Sequence, residues 1–225
     1  MTPERQLVVE DDPKSVGSEA FRTLRTNLQF TSPDRELRTV LLTSAGPEEG
    51  KSTVSANLAV AAAQSGQNVV LVGCDLRKPV VHSVFGLTNA PGLTAYLTGQ
   101  AEQEQILLPT RVKGLRVIPS GPIPPNPSEL LHSRAMKELL ADLAQQADLV
   151  LLDAAPIIAV TDAAVLATLV DGVVLVLAAH KVPRDVAIHA KTLLERVNAR
   201  ILGVVLNGVR LDKKRDQYYY YSEGS

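Results

Sequence analysis

The sequence has one cysteine and no tryptophan among its 225 residues. A single cysteine, Cys74, forms no internal disulfide, so the chain is not a disulfide-stabilised secreted domain. No apolar run approaches the roughly 18 residues that a membrane-spanning helix needs, and the first residues, MTPERQLVVEDDPKS, lack the apolar core of a signal peptide. These absences predict a cytoplasmic protein with no direct membrane insertion.

An excess of charge of either sign is also missing, since the formal net charge is −1. A near-neutral chain is not a general nucleic-acid binder, and we expect no nucleic-acid partner. Hydrophobic residues make up 45% of the chain and charged residues 21%, which is typical of a folded globular protein. At this length we expect one substantial domain.

Short apolar runs alternate with helix-like segments along most of the chain. The runs are too short for helices and mostly lack polar alternation, as strands buried on both faces do; they are RTVLLTS, NVVLVG, LRVIPS, DLVLLD, GVVLVLAA and RILGVVLN. Between them lie VSANLAVAAAQSG, PSELLHSRAMKELLADLAQQA, TDAAVLATLV and PRDVAIHAKTLLERVNA. The alternation predicts a doubly wound α/β fold with a mostly parallel sheet, in which ligands bind at the carboxyl ends of the strands.

Three further segments have predicted local roles. The proline-rich stretch 121–129 is predicted to be a rigid surface loop that leads into a helix, with Ser128 as its N-cap. Residues 17–30 form a predicted amphipathic helix with Glu19, Arg22 and Arg25 on one flank. Glu19 and Arg22 stand three residues apart, so they form either an internal ion pair or part of an interface. Residues 212–225 carry charges and four consecutive tyrosines without apolar periodicity, which predicts a flexible tail.

The stretch SAGPEEGKST follows a predicted strand and opens a predicted helix, as a phosphate-binding loop does. Backbone N–H groups at a helix N-terminus bind anions, Lys51 is predicted to contact the β- and γ-phosphates, and Ser52 to ligate Mg²⁺. The strict GxxxxGK[ST] pattern is not met, because Ala45 occupies the first glycine position. The alternative is a tight turn with an exposed lysine. The predicted nucleotide-binding residues are Gly46, Pro47, Glu48, Glu49, Gly50, Lys51, Ser52 and Thr53.

Two other predicted strands end in acidic residues. VVLVGCDLRKP leads to Asp75, followed by Arg77 and Lys78, and DLVLLDAAP leads to Asp153. Because the carboxyl ends of parallel strands share one edge of the sheet, these groups are expected near the phosphate loop. Asp153 suits the carboxylate that holds the water shell of the metal, although a carboxylate here could also cap a turn.

Together, SAGPEEGKST, CDLRKP, LLDAAP, GVVLN, the E-x2-R-x2-R spacing of Glu19, Arg22 and Arg25, and the terminal tyrosines resemble the bacterial tyrosine kinases of capsule and exopolysaccharide systems, a branch of the deviant-Walker P-loop ATPases. The resemblance covers nearly the whole chain. It implies an ATP- and Mg²⁺-dependent autokinase that phosphorylates its own tail in trans and regulates polysaccharide synthesis or export. The implied phosphoacceptors are Tyr218, Tyr219, Tyr220 and Tyr221.

The resemblance also implies a role for each matching residue. Catalytic roles fall to Lys51, Asp75 and Arg77, metal binding to Ser52, Asp75 and Asp153, and adenine contact to Asn207. Glu19, Arg22 and Arg25 would support subunit contacts in a homo-oligomeric ring. A separate transmembrane activator, a polysaccharide co-polymerase, would recruit the kinase to the inner face of the membrane. The implied boundaries are a kinase domain over 1–211, with an oligomerisation helix over about 17–30, and a tail over 212–225.

One departure from the family bears on the chemistry. The second Walker segment of the family usually reads D-x-D-x-R, whereas this chain has Gly73 at the first acidic position. Alternate residues of a strand share a face, so a carboxylate beside Asp75 is missing. A positioned base typically contributes about 10²- to 10⁴-fold, but phosphoryl transfer depends mainly on positioning and charge, so slower transfer is expected rather than none.

Two alternative functions are weighed against the kinase. A nucleotide-dependent assembly switch or pseudokinase with weak activity is the first, because of Gly73. A partition or septum-positioning ATPase is the second and is disfavoured. Those proteins carry a signature lysine early in the phosphate loop, where this chain has Ala45 and Gly46, and they generally lack a tyrosine tail.

Overall fold

The computed structural model of the chain describes residues 7–31 and 36–209. The predicted tail with its tyrosines and the end of the predicted kinase domain, residues 210 and 211, lie outside the described residues. Within the described ranges, seven strands form one sheet in the order β3-β4-β2-β5-β1-β6-β7. The strands are β1 (Thr39–Ser44), β2 (Val69–Gly73), β3 (Leu108–Pro109), β4 (Leu115–Ile118), β5 (Leu149–Asp153), β6 (Gly172–Ala178) and β7 (Ile201–Asn207).

All neighbouring strands run parallel except the short edge pair β3 and β4. Strands β1 and β2 are buried along their whole length, because helices cover both faces of the sheet. The predicted α/β fold with a mostly parallel sheet is therefore confirmed. The six strands predicted from the apolar runs are all present, and the short β3 is the strand that the sequence patterns missed.

Ten helices lie within the described residues: α1 (Val8–Asp11), α2 (Val16–Phe30), α3 (Lys51–Gln64), α4 (Val81–Val84), α5 (Leu93–Leu97), α6 (Gln103–Ile106), α7 (Pro127–His132), α8 (Arg134–Gln146), α9 (Asp162–Ala167) and α10 (Arg184–Arg196). Helix α3 is apolar around most of its circumference because it lies between the sheet and the N-terminal helices α1 and α2. Helices α8, α9 and α10 contribute to the core on the opposite face. None of the helices in these ranges has the length and apolarity of a membrane span.

Two local predictions around the proline-rich stretch are wrong. The segment 127–146 forms two helices rather than one, because Ser133 leaves the helical conformation and its hydroxyl oxygen accepts a hydrogen bond from the Met136 amide at 3.2 Å. Ser128 is not the N-cap of α7, the first of these two helices. Asn126 occupies that position, Pro127 is the first helical residue, and the Ser128 hydroxyl donates to Asp162 instead.

The predicted N-terminal helix is present as α2, which packs against α3. Glu19 and Arg22 form an internal ion pair at 2.8 Å. The Arg25 guanidinium turns towards α3, where Nη1 lies 3.4 Å from the Ala61 carbonyl oxygen. The structure thus gives these side chains intrachain partners, and their role in subunit contact stays a prediction.

Candidate functional site

Residues 45–50 connect β1 to α3 at the carboxyl edge of the sheet. Gly50 precedes α3 with φ +88°, and a Cβ atom there would lie 1.9 Å from Nδ2 of Asn207, so only glycine fits. Ala45 is fully buried, and its φ is not positive, so its backbone does not require the glycine that the strict motif has at this position. The loop therefore has the form of a phosphate-binding turn despite the substitution.

The Glu49 side chain makes a hydrogen bond inside this loop that fixes its backbone. Its carboxylate accepts a hydrogen bond from the Gly46 amide, and the residue is only 5% exposed. Burial raises the pKa of Glu49, while backbone hydrogen bonds and the Lys181 charge oppose that rise. Pro47 and Glu48 are exposed at the tip of the loop, where Nζ of Lys181 lies 3.4 Å from the Glu48 carbonyl oxygen.

Asn207, at the end of β7, also contacts the loop. Its Nδ2 atom donates to the Glu49 carbonyl oxygen at 3.0 Å, so its side chain helps to fix the backbone just before Gly50. The predicted contact between Asn207 and adenine stays a prediction.

Four predicted site residues meet beyond the loop. The Lys51 ammonium lies 3.0 Å from Oδ2 of Asp75 and 3.4 Å from Oδ1 of Asp153, and its side chain is 10% exposed. Ser52 Oγ lies 3.2 Å from the same nitrogen. Asp75 lies two residues after β2, and Asp153 is the last residue of the neighbouring strand β5. Lys51 and Ser52 belong to the first turn of α3. The arrangement is a nearly buried cation between two acids.

The two carboxylates have different surroundings. Oδ1 of Asp75 accepts backbone N–H bonds from Arg77 at 3.3 Å and Lys78 at 2.9 Å. Oδ1 of Asp153 also accepts the Ser55 hydroxyl at 3.3 Å. Ser55 was not predicted, although its position one helical turn after Lys51 is a signal that could have found it.

Oδ2 of Asp153 is buried without a hydrogen-bond partner among the described residues. A buried carboxylate oxygen in that condition needs a cation or ordered water nearby. Mg²⁺ is commonly bound by one or two carboxylates together with phosphate oxygens and water, so Ser52, Asp75 and Asp153 fit this ion. The described residues contain no cluster of three or more His, Cys, Asp or Glu that would hold a metal without such a ligand.

Gly73 lies beside Asp153 in the register between β2 and β5. A Cβ atom at Gly73 would be 2.8 Å from Oγ of Ser120, a buried residue that follows β4. The serine hydroxyl therefore lies where the family has its additional acidic side chain. Cys74 is fully buried, and burial raises the pKa of its thiol, so it is not a reactive nucleophile.

Comparison with known proteins identifies the family. A model of the ParA family, described as NUBPL iron-transfer P-loop NTPase, matches residues 38–224. Tyrosine-protein kinase YwqD of Bacillus subtilis strain 168 is 45% identical over 217 residues, which cover 96% of this chain and 92% of YwqD. The chain belongs to the bacterial tyrosine kinases. P-loop NTPases bind nucleotides, and this family shares that property.

Solved structures of bacterial tyrosine kinases agree with the fold. The chimerical protein CapA2B2 superposes with a TM-score of 0.88 at 40% identity and covers 91% of this chain and 90% of its own. The kinase domain of the Escherichia coli tyrosine kinase ETK gives 0.88 at 36% identity, covering 92% and 82%. The cell division ATPase MinD of Pyrococcus furiosus, at 23% identity and a TM-score of 0.66, shares the fold alone. These similarities favour the kinases over septum-positioning ATPases.

Proposed function

We propose that this kinase transfers the γ-phosphoryl group of ATP, with Mg²⁺, to the tail tyrosines Tyr218–Tyr221 of a neighbouring copy and so regulates capsular or exopolysaccharide synthesis. One observation carries the proposal. The Lys51 ammonium lies between Asp75 and Asp153, next to a loop built to bind phosphate. Such a constellation supplies charge stabilisation, the largest contribution to phosphoryl transfer.

Each group has a distinct task in this proposal. The amides at the start of α3 bind the phosphates, and Lys51 neutralises charge on the β- and γ-phosphates. Ser52, Asp75 and Asp153 hold Mg²⁺, which supplies Lewis-acid stabilisation of the phosphate oxygens. The tyrosine oxygen bonds to the γ-phosphorus and gives up its proton to water, the bond from that phosphorus to the bridging oxygen breaks, and ADP leaves.

Transfer in trans and release of the tail follow from the charges involved. Each phosphotyrosine carries about −1.5 to −2 charges, so successive phosphorylations repel one another and Glu223, which favours dissociation of the docked tail. We extend the proposal to a homo-oligomeric ring with Glu19, Arg22 and Arg25 at the contacts. A separate transmembrane activator would recruit this ring to the inner face of the membrane.

A nucleotide-dependent assembly switch is the second candidate function. Gly73 favours it, because the missing carboxylate is the group expected to orient or deprotonate the attacking tyrosine. In that case ATP occupancy controls assembly and little phosphate reaches the tail.

Mass spectrometry of the tail separates the two functions. The purified protein is incubated with ATP and Mg²⁺, with and without the cytoplasmic segment of the membrane partner. The kinase proposal expects phosphate on residues 218–221 that disappears in Lys51→Met, a change that removes the ammonium but keeps a similar side-chain length. Nucleotide binding without phosphate on the tail under both conditions would contradict the kinase proposal and support the switch.

A further inference from the structure

Asp162, the first residue of α9, is fully buried but belongs to none of the motif segments. Its carboxylate is bound bidentately by Arg77, with Nε 2.8 Å from Oδ2 and Nη2 3.1 Å from Oδ1. The Ser128 hydroxyl donates to the same Oδ1. A fully buried carboxylate thus has charged and neutral donors from two other parts of the chain.

These contacts join three segments around the active edge of the sheet. Arg77 comes from the turn after β2, Ser128 from the first turn of α7, and Asp162 from α9. Nη2 of Arg77 also lies 3.2 Å from Oγ of Ser128, which closes the triangle. Bidentate pairing with arginine fixes orientation as well as distance, and a lysine cannot reproduce it.

Residue 77 is held at both its backbone and its side chain. While its guanidinium binds Asp162, its backbone N–H donates to Oδ1 of Asp75, as does the next amide, that of Lys78. The other oxygen of Asp75 contacts the Lys51 ammonium. A continuous set of hydrogen bonds therefore runs from buried Asp162, through Arg77, to the carboxylate at the reacting centre.

The position of Asp75 matters more in this chain because β2 ends in Gly73. Asp75 is the one acidic side chain that the segment from Val69 to Lys78 brings to the site. Because Asp75 lies two residues beyond the end of β2 and has no acidic neighbour in this segment, it depends on its hydrogen bonds for orientation. Misplacement of a catalytic group by about 1 Å can cost roughly 10²-fold in rate.

We propose that Asp162, assisted by Ser128, is a positioning residue for phosphoryl transfer: it holds Arg77 so that the backbone amides of residues 77 and 78 orient the Asp75 carboxylate. This inference rests on the proposed kinase function. In this proposal Arg77 links the buried Asp162 carboxylate to the Asp75 carboxylate, in addition to the catalytic role predicted for Arg77.

The kinetic test uses Asp162→Asn in the full-length protein. The asparagine keeps the shape of the side chain but presents N–H donors to a guanidinium, so the bidentate pair is lost. We expect kcat to fall by about 10- to 100-fold while KM for ATP changes by less than about threefold, because the phosphate loop is untouched. Asp142→Asn, at an exposed aspartate of α8, is the matched control and should leave both constants unchanged.

A double-mutant cycle shows whether Asp162 acts through Arg77. Arg77→Lys keeps the charge but not the bidentate geometry, and adding Asp162→Asn to it should lower kcat little further. A decrease equal to the product of the two single effects would overturn the proposal. If Asp162→Asn does not fold, Ser128→Ala combined with Arg77→Lys provides the same cycle at partly exposed positions.

Hydrogen exchange provides a readout that requires no turnover. In the protein without ATP, the amides of Arg77 and Lys78 should exchange faster in Asp162→Asn than in wild type, whereas amides in α10 should not change. Unchanged protection of residues 77 and 78, or unchanged kcat in an active enzyme, would overturn the positioning role. A wild-type protein that phosphorylates nothing would instead contradict the proposed kinase function, and the exchange experiment would still test the hydrogen-bond connection.

Discussion

At the scale of single residues, Gly73 decides how many carboxylates lie at the catalytic edge of the sheet, and Ser120 occupies the space beside it. A side chain at Gly73 must displace the Ser120 hydroxyl, because its Cβ atom would lie 2.8 Å from Oγ. That hydroxyl is at the end of a short side chain and is able to rotate, after which it is placed to donate to a new carboxylate. The backbone nitrogen of Ser120 would also lie 3.2 Å from the added Cβ atom, so it must shift by a few tenths of an ångström before the site accepts the acidic group that the family usually has.

Replacing Gly73 with aspartate should accelerate tail phosphorylation. We expect kcat to rise by about 10²-fold, the lower end of the contribution of a positioned base, since Ser120 must move. Gly73→Ala meets Ser120 in the same way but adds no carboxylate, so it should give no gain. Equal rates for the two variants, measured as phosphotyrosine formed under saturating ATP, would mean that another group, such as Asp75, orients the tyrosine.

Because Glu49 is buried, its ionisation should make the free energy of unfolding depend on pH. Burial raises its pKa above the 4.5 of an exposed glutamate, so the folded state favours the protonated form. Its stabilising contribution is present below the unfolded pKa and is lost as the pH rises through the folded pKa. Glu49→Gln keeps an acceptor for the Gly46 amide without the charge, and should therefore have a higher Tm than wild type at about pH 7.

The advantage of Glu49→Gln should shrink as the pH falls towards about 4, where wild-type Glu49 is protonated. Thermal unfolding followed by circular dichroism between these pH values checks the trend. Glu48→Gln, at the exposed neighbouring position, is the control and should show no such trend. A Tm difference for Glu49→Gln that does not vary with pH would contradict burial of the charge as its cause.

The residues of the site differ in how well the sequence predicts them. Lys51, Asp75 and Asp153 follow strands or open a helix, so the rule for parallel sheets brings them to one edge. In the structure the Lys51 ammonium lies 3.0 Å from the Asp75 carboxylate and 3.4 Å from that of Asp153. The contact between Arg77 and Asp162 spans 85 residues and depends on the packing of α7 and α9. No local spacing encodes this contact, so the sequence pattern predicts only a helix cap at Ser128.

At the scale of elements, the strands were predictable because burial on both faces gives continuous apolar runs. The break between α7 and α8 was not, because Ser133 is able to cap a helix or to continue one, and only tertiary packing decides. The contact between the N-terminal helix α1 and α3 is a second feature that the sequence pattern does not predict.

Buried Asn57 of α3 accepts a hydrogen bond from the Val9 amide at 3.1 Å and donates to the Thr53 carbonyl oxygen at 3.0 Å. It thereby ties α1 to the helix that begins at the phosphate loop.

Asn57→Ala should remove the hydrogen bond that joins α1 to α3. The Val9 amide would lose a buried acceptor, so we expect the free energy of unfolding to fall by about 1–3 kcal/mol in urea denaturation. Asn27→Ala, on the exposed face of α2, should change it by less than about 0.5 kcal/mol. Equal effects of the two substitutions would show that the hydrogen bonds of the Asn57 side chain contribute no net stability.

At the scale of the whole molecule, the question is whether α2 serves assembly or only the fold. Glu19→Arg combined with Arg22→Glu reverses both charges but retains their internal pair, which is worth only about 0.2–0.5 kcal/mol. The reversal also removes the exposed hydrogen bond from Nη2 of Arg22 to the Pro13 carbonyl oxygen at 2.7 Å, so the monomer should stay folded with a loss of about 0.5–1.5 kcal/mol. If the pair also contacts a second copy, the reversal removes complementarity, and sedimentation velocity should show loss of the oligomer in this variant.

The control for assembly is a charge reversal at a similar pair elsewhere. Arg134 and Glu138 of α8 form an exposed pair at 2.6 Å, and exchanging their charges should leave the oligomer intact. If the Glu19 and Arg22 reversal assembles as wild type does, the pair is purely an internal feature of α2 and the proposed ring contact is wrong.

Both proposed functions require that the phosphate loop, Lys51, Asp75 and Asp153 hold a nucleotide with its magnesium ion. Calorimetric titration of the folded full-length protein with ATP, with and without Mg²⁺, tests this most directly. We predict saturable binding that is tighter with Mg²⁺ and strongly weakened in Lys51→Met. No heat of binding for wild-type protein in the presence of Mg²⁺ would contradict the account, for the kinase and for the assembly switch alike.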